Sequence, residues 1–449
     1  MAGLNDTQAS ILRTLFGSAP DVAVRELERA LSEEAMGVGA MAQVYRLVAK
    51  EALERRAKQT VFEPLIALCG AVSSKSPRPF PSSAPKALWL ALRQTCAADA
   101  DTAVSCVAKK RPTDEELARA AEVYDRLCVA AAAGLRDLDP AFARAAELLD
   151  ADRPDGAAIF ASYVDLAPVA RAAMARLPEW VARMTDDRAA AVRVAYKDAV
   201  SLADDAGPRL IEILVANLSE PWLIVRVLSA VMTHPQERYV AASELAGFAE
   251  RILDDIDLKL SEFRSFDPAG GRAAGLAAGE AIHLAGLEII EFETAVELSR
   301  EGPWGKRISG QKQSLAELAE LRLAQIDKAL DAALPLQMVK FGKGLRGHPK
   351  LTDDPNPTAL TRAEGLLAFF DYSRQFASQS GYGAARTRTA ERIEARLDQY
   401  VEDLLEMLHA HEVEALERVR LYLDAAAVTM DAVRGEKAGQ IVRRRVAAA

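Results

Sequence analysis

The sequence predicts an all-α, multi-helical protein, and three observations carry that prediction. Half of the 449 residues are hydrophobic but only 6% are aromatic, so the cores must be built from Ala, Leu and Val. Ala and Leu favour helix, and small side chains let helices approach closely. The 25 glycines and 20 prolines are about a tenth of the chain, too few turn formers for an all-β domain. Alternating runs of β-branched and aromatic residues are missing, whereas apolar residues recur at helical spacing over long stretches.

The elements follow in order. Residues 1–72 form an N-terminal helical module, with short amphipathic helices marked by Ile11, Leu12, Leu15, Phe16 and by Val44, Leu47, Val48, Ala52. Its first residues lack the basic region and apolar core of a secretory signal. Residues 73–86 are rich in Ser and Pro and are expected to be an extended linker, because proline blocks helix and serine adds little burial. Residues 87–235 are expected to be helical hairpins. Thr113 with Glu116 spells a capping box that opens a helix toward Asp137. The greasiest stretch, Leu210 to Met232, is interrupted by Glu212, Glu220, Pro221 and Arg226, which makes it a buried helix pair and not a membrane span.

Two segments in this region are alike. Asp187 to Arg193 and Glu220 to Arg226 each carry an acidic residue, a turn, and a Val-Arg pair (Val192-Arg193, Val225-Arg226), with Leu177 and Leu210 at matching places. The second also has a proline, Pro221, where the first has Arg188. Over Leu177 to Met232 the chain therefore resembles HEAT repeats, which implies stacked helical hairpins there.

Residues 236–340 are expected to be a long-helix bundle, with helices near Tyr239–Phe263, Arg272–Arg300 and, capped by Ser314 with Glu317, onward to Pro335. Residues 341–357 read as an irregular basic, Gly-rich loop. Residues 358–434 are expected to be long C-terminal helices, one over Thr361–Phe376 and one from Ala384 to Arg434. The latter has no internal glycine or proline, and at ~1.5 Å per residue it would be a rod of roughly 75 Å. Together the long helices imply an antiparallel bundle or coiled-coil hairpin. Residues 435–449 form a basic tail containing Arg443, Arg444 and Arg445.

Composition narrows function. A net charge of −9 argues against nucleic acid as the main partner. Cys69, Cys96, Cys106 and Cys128 form no C-x-x-C pair, so no zinc knuckle or disulfide framework is indicated and they read as reduced thiols of a cytoplasmic protein. The excess of Arg over Lys and the abundance of Ala suggest a bacterial source.

Several patterns are candidates for function. Leu397, Val401, Leu404, Leu408 and His411 advance by alternating fours and threes along one face of the last long helix, the stripe of an interaction seam. Lys340, Lys343, Arg346 and Lys350 surround Gly342, Gly344 and Gly347 in a basic loop suited to an anion, an acidic partner or a lipid head group. No strand-and-helix unit surrounds these glycines, so the dinucleotide fingerprint is not met. Gly271, Gly275 and Gly279, with His283 next in register, mark a groove for close helix packing. Glu280-x-x-His283 and Glu406-x-x-His409 have di-iron ligand spacing, with Glu244 or Glu250 and Glu317 or Glu320 as the remaining ligands. Glu406, however, points away from the apolar seam, so no metal site and no cofactor are assigned. No catalytic residue is assigned either.

The expected function is a non-enzymatic cytoplasmic scaffold or adaptor that binds a protein partner or a second copy through its long helices. One alternative is a peripheral regulator at a membrane, or less readily on nucleic acid, using the basic loop and tail. The other is a helical-bundle enzyme that binds a metal or ligand.

Overall fold

Helix dominates the computed structural model, which describes residues 4–34, 39–72, 79–151, 153–232, 234–341, 344–409 and 416–448. The chain divides into two units, Met1–Thr233 and His234–Ala449.

The first unit holds α1 (Asp6–Ser18), α2 (Asp21–Glu34), α3 (Ala40–Val61), α4 (Glu63–Ile66), α5 (Ala84–Thr95), α6 (Ala97–Val107), α7 (Asp114–Arg136), α8 (Ala143–Asp150), α9 (Gly156–Asp165), α10 (Ala167–Ala182), α11 (Asp186–Val200), α12 (Ala206–Asn217) and α13 (Ile224–Val231). The predicted capping box opens α7: Thr113 Oγ1 accepts from the Glu116 amide, and Glu116 Oε2 accepts from the Thr113 amide at 3.0 Å. Phe16, Val24, Val48 and Ala52 bury one another where α1 and α2 lie on α3.

The segment expected to be a linker is partly anchored. Phe80 is buried, its ring 4.5 Å from Phe160 and edge-on to Tyr163, and its amide and carbonyl bond the backbone of Leu68 and Gly70. One aromatic side chain gains enough burial to hold a Pro-rich stretch in place. Residues 73–78 lie outside the described residues.

The paired segments 187–193 and 220–226 occupy equivalent places. The helix pairs α10–α11 and α12–α13 stack, Val192 and Val225 are buried, and each arginine caps a helix C-terminus. Arg193 donates to the Ala230 carbonyl at the end of α13, and Arg226 to the Ala182 carbonyl at the end of α10, both at 3.1 Å. Leu210 to Met232 is a buried helix pair broken at Pro221, as expected.

The second unit holds α14 (Glu237–Ala241), α15 (Ala246–Arg264), α16 (Gly271–Ala295), α17 (Pro303–Ala333), β1 (Leu336–Phe341), β2 (Gly344–Pro349), α18 (Pro357–Tyr372), α19 (Gly383–His409), α20 (Leu416–Arg434) and α21 (Glu436–Ala448). The helix expected over Tyr239–Phe263 is broken, because Ser243 Oγ donates to the Val240 carbonyl and accepts from the Leu245 amide. Ser314 does not start a helix but lies inside α17. The start of α17 is set by Pro303 in its first turn and by the buried Glu237 carboxylate, which accepts from the amides of Trp304 (2.7 Å) and Ser299 (2.9 Å).

The glycine stripe does what its spacing predicts. A Cβ on Gly275 would run into the Gly365 carbonyl, and one on Gly279 would stand 2.8 Å from the Tyr372 ring, so α16 and α18 meet almost backbone to backbone. Pro268–Ala295 is long and apolar enough to cross a membrane; here the stripe face of α16 packs on α18.

Two further features of this unit differ from the sequence reading. The rod from Ala384 to Arg434 is two helices, with α20 running back along α19: Arg434 pairs with Asp398 at 2.6 Å and with Glu394 at 3.2 Å. The basic tail is held in place. It forms α21, where Arg443 pairs with Asp431 (2.7 Å) and Arg445 with Glu402 (2.5 Å).

Candidate functional site

The residues expected to form an interaction seam are core. Leu397, Val401, Leu404 and Leu408 are at most 3% exposed, because α20 and its apolar stripe (Val419, Tyr422, Ala426, Met430) cover the face they share. In this fold none of the four is open to a partner. His411 lies outside the described residues.

The basic Gly-rich loop is a β-hairpin and not an irregular connector. β1 and β2 pair antiparallel from Leu336↔Pro349 to Phe341↔Gly344, and the base is closed by the Lys350 amide bonding the Pro335 carbonyl at 2.9 Å. Lys343 lies outside the described residues. Arg346 is directed inward: its Nη2 is 2.5 Å from Oδ1 of the buried Asp403 on α19, which also accepts from Gln399 Nε2 at 2.7 Å. That arginine therefore pins the hairpin to α19 and is a poor anion ligand.

Residues opposite each other in an antiparallel pair share a face. Leu336, Met338, Lys340, Leu345 and Pro349 thus lie on the face opposite Arg346. Met338 is 64% and Leu345 67% exposed, and Leu336 and Lys340 are exposed too. Among the described residues the Lys340 and Lys350 ammonium groups have no ion-pair partner. The sheet has two strands only, so β1 also offers an unpaired backbone edge among the described residues.

Other ionisable groups are occupied or isolated. His283 lies between Phe376 (ring centroids 4.4 Å apart) and Tyr372, and burial lowers its pKa. His409 Nδ1 is 2.6 Å from the Leu405 carbonyl, and Glu406 is exposed. Among the described residues no three His, Cys, Asp or Glu side chains come together as metal ligands. The four cysteines are free; burial pushes the thiols of Cys69 and Cys128 up to about 12.

One buried charge cluster was not foreseen. Glu288 on α16 is 1% exposed, with Lys259 Nζ of α15 2.8 Å from its Oε1, and Lys259 also pairs with Asp255. Burial raises the Glu288 pKa to about 7 against the pull of Lys259. Lys259 is held above its ordinary value because Glu288 and Asp255 outweigh its own burial.

No family model, no curated protein and no solved structure matches this chain.

The hairpin's apolar face escaped the sequence reading because Leu336 to Phe341 follows directly on a helical pattern. The sequence signal was weak: only Val339 and Phe341 in the first run favour strand, and the second run carries two glycines and a proline.

Proposed function

We propose that the protein is a non-enzymatic cytoplasmic adaptor, and that its docking element is the β1–β2 hairpin, which takes an extended acidic segment of a partner protein. One observation carries the reading: among the described residues, an apolar strand face with an unpaired edge, flanked by two lysines without ion-pair partners, stands exposed on the single two-stranded sheet of a largely helical chain. Edge strands left open in this way invite pairing, and strand addition draws affinity from backbone hydrogen bonds and selectivity from side chains on alternate positions. Lys340 and Lys350 supply the charge preference for an acidic partner. The buried seam of α19 shifts the proposed contact from the long helices to the hairpin.

The experiment is site-specific photocrosslinking from position 338 in the full chain, with the crosslinked peptide sequenced by mass spectrometry. The expected adduct is a short extended segment rich in Asp and Glu, lost when Lys340→Glu is added but retained with Lys437→Glu as a surface control. Adducts scattered over unrelated sequences, or a yield indifferent to Lys340→Glu, would sink the proposal.

A further inference from the structure

The first unit contains a cleft of about 470 Å³, walled by α1, the start of α2, α3 and α5. Six cationic and three acidic side chains line it, and the pairing among them is uneven. Arg55 takes two of the acids, with Nη1 2.5 Å from Asp21 Oδ1 and Nε 2.8 Å from Glu51 Oε1. The third acid, Glu54, accepts from Trp89 Nε1 at 3.0 Å and pairs with Arg93 at 3.4 Å; Arg93 also reaches Asp101 at 2.6 Å. Two arginines thus occupy every carboxylate in the wall.

Four cations remain. Arg13, Lys50, Lys58 and Lys86 open on the same cleft, and none has a carboxylate partner among the described residues. Lys86 Nζ donates to the Gly17 carbonyl at 3.0 Å. Lys58 is partly buried, and its ammonium group has no hydrogen bond or ion pair among the described residues. Burial lowers its pKa; Asp21 and Glu51 oppose this, while Arg55 and Lys86 add to it. An ammonium group placed there costs the fold stability, and Asp21 and Glu51 offset that cost only in part, since its pKa stays below the ordinary value. Beside these cations the cleft is apolar, with Phe16, Leu47, Trp89 and the exposed Leu90.

We propose that this cleft binds a small amphipathic anion, a phosphate or carboxylate carried on an apolar body of one or two rings. The head is met by Lys58 together with Lys50, Lys86 and Arg13, and the body lies against Trp89, Leu47 and Leu90. The volume falls in the range of pockets that enclose drug-sized ligands, roughly 300–1,000 Å³. An apolar wall beside four cations without carboxylate partners separates such a ligand from inorganic phosphate, which would leave that wall wet. The site is independent of the hairpin and of any partner protein.

The test is isothermal titration calorimetry on the full chain with 1-naphthyl phosphate, 1-naphthoate and the neutral 1-naphthol. Saturable binding of one anion per chain is expected, at least about tenfold tighter than the naphthol. The tighter of the two anions then identifies the head group. Lys58→Met should weaken the anion at least about tenfold while raising the thermal midpoint of the ligand-free protein, because it removes an unpaired charge. That opposite movement of binding and stability is what a merely structural lysine would not produce. Equal binding of the naphthol, absence of binding by all three, or a folded Lys58→Met variant with unchanged affinity would each overturn the site.

Discussion

Replacing Glu288 by glutamine is expected to stabilise the second unit above pH 7 and to leave it nearly unchanged below pH 4.5. The carboxyl is 1% exposed, its Oε2 has no hydrogen-bond partner among the described residues, and Lys259 faces Oε1 alone. The folded state holds the proton until about pH 7, whereas the unfolded chain releases it near the ordinary value of 4.5. Stability from this group is therefore complete below pH 4.5 and is lost as pH rises through about 7. At about 1.36 kcal/mol per pKa unit, the difference is on the order of 3 kcal/mol, a large share of a typical ~5–15 kcal/mol fold. Glutamine keeps the shape and removes the charge, and Lys259 retains Asp255 as its partner. The assay is urea unfolding at pH 4, 6 and 8, read by pulse proteolysis so that fragment masses separate the two units. A variant less stable than the parent at pH 8, or a difference that does not change with pH, would refute the reasoning.

Three further outcomes follow from the packing. Leu404→Ala should cost the second unit about 2–5 kcal/mol by the same unfolding measurement, with no change in oligomeric state by light scattering, since the side chain is fully buried within the chain. Gly275→Ala should destabilise by about 1–3 kcal/mol despite alanine's better helix propensity, because its methyl would meet the Gly365 carbonyl; a raised thermal midpoint would contradict that close approach. Glu237→Ala strips two amides, those of Ser299 and Trp304, of their acceptor. The Trp304 amide is buried and its loss of an acceptor should cost about 1–3 kcal/mol, whereas Ser299 is exposed and can turn to water; α17 should fray, seen as faster hydrogen exchange in its first turns.

What the sequence determined by itself is local. Helix class follows from composition and 3.6-residue periodicity. The start of α7 is written in Thr113 and Glu116, whose reciprocal bonds span three residues. The glycine stripe of α16 announces a close approach, although only the fold shows that Gly365 and Tyr372 are what approach it. Local signals also mislead where they recur without context, as with Ser314 and Glu317 inside α17.

What tertiary structure decided is where each stripe and each charge ends up. From Ala384 to Arg434 no residue forbids a single helix, yet α20 returns along α19, because two apolar stripes in one chain bury each other at lower entropic cost than they bury a second molecule. Arg346 looks like a free cation until Asp403, 57 residues away, is placed beside it. Glu237 looks like an ordinary surface acid until the start of α17, 67 residues on, is brought to its carboxylate. The surplus of positive charge in the cleft of the first unit is likewise invisible in a chain of net charge −9, because it depends on which lysines are left over once Arg55 and Arg93 have taken the acids. Periodicity is a property of neighbours along the chain, and pairing is a property of neighbours in space.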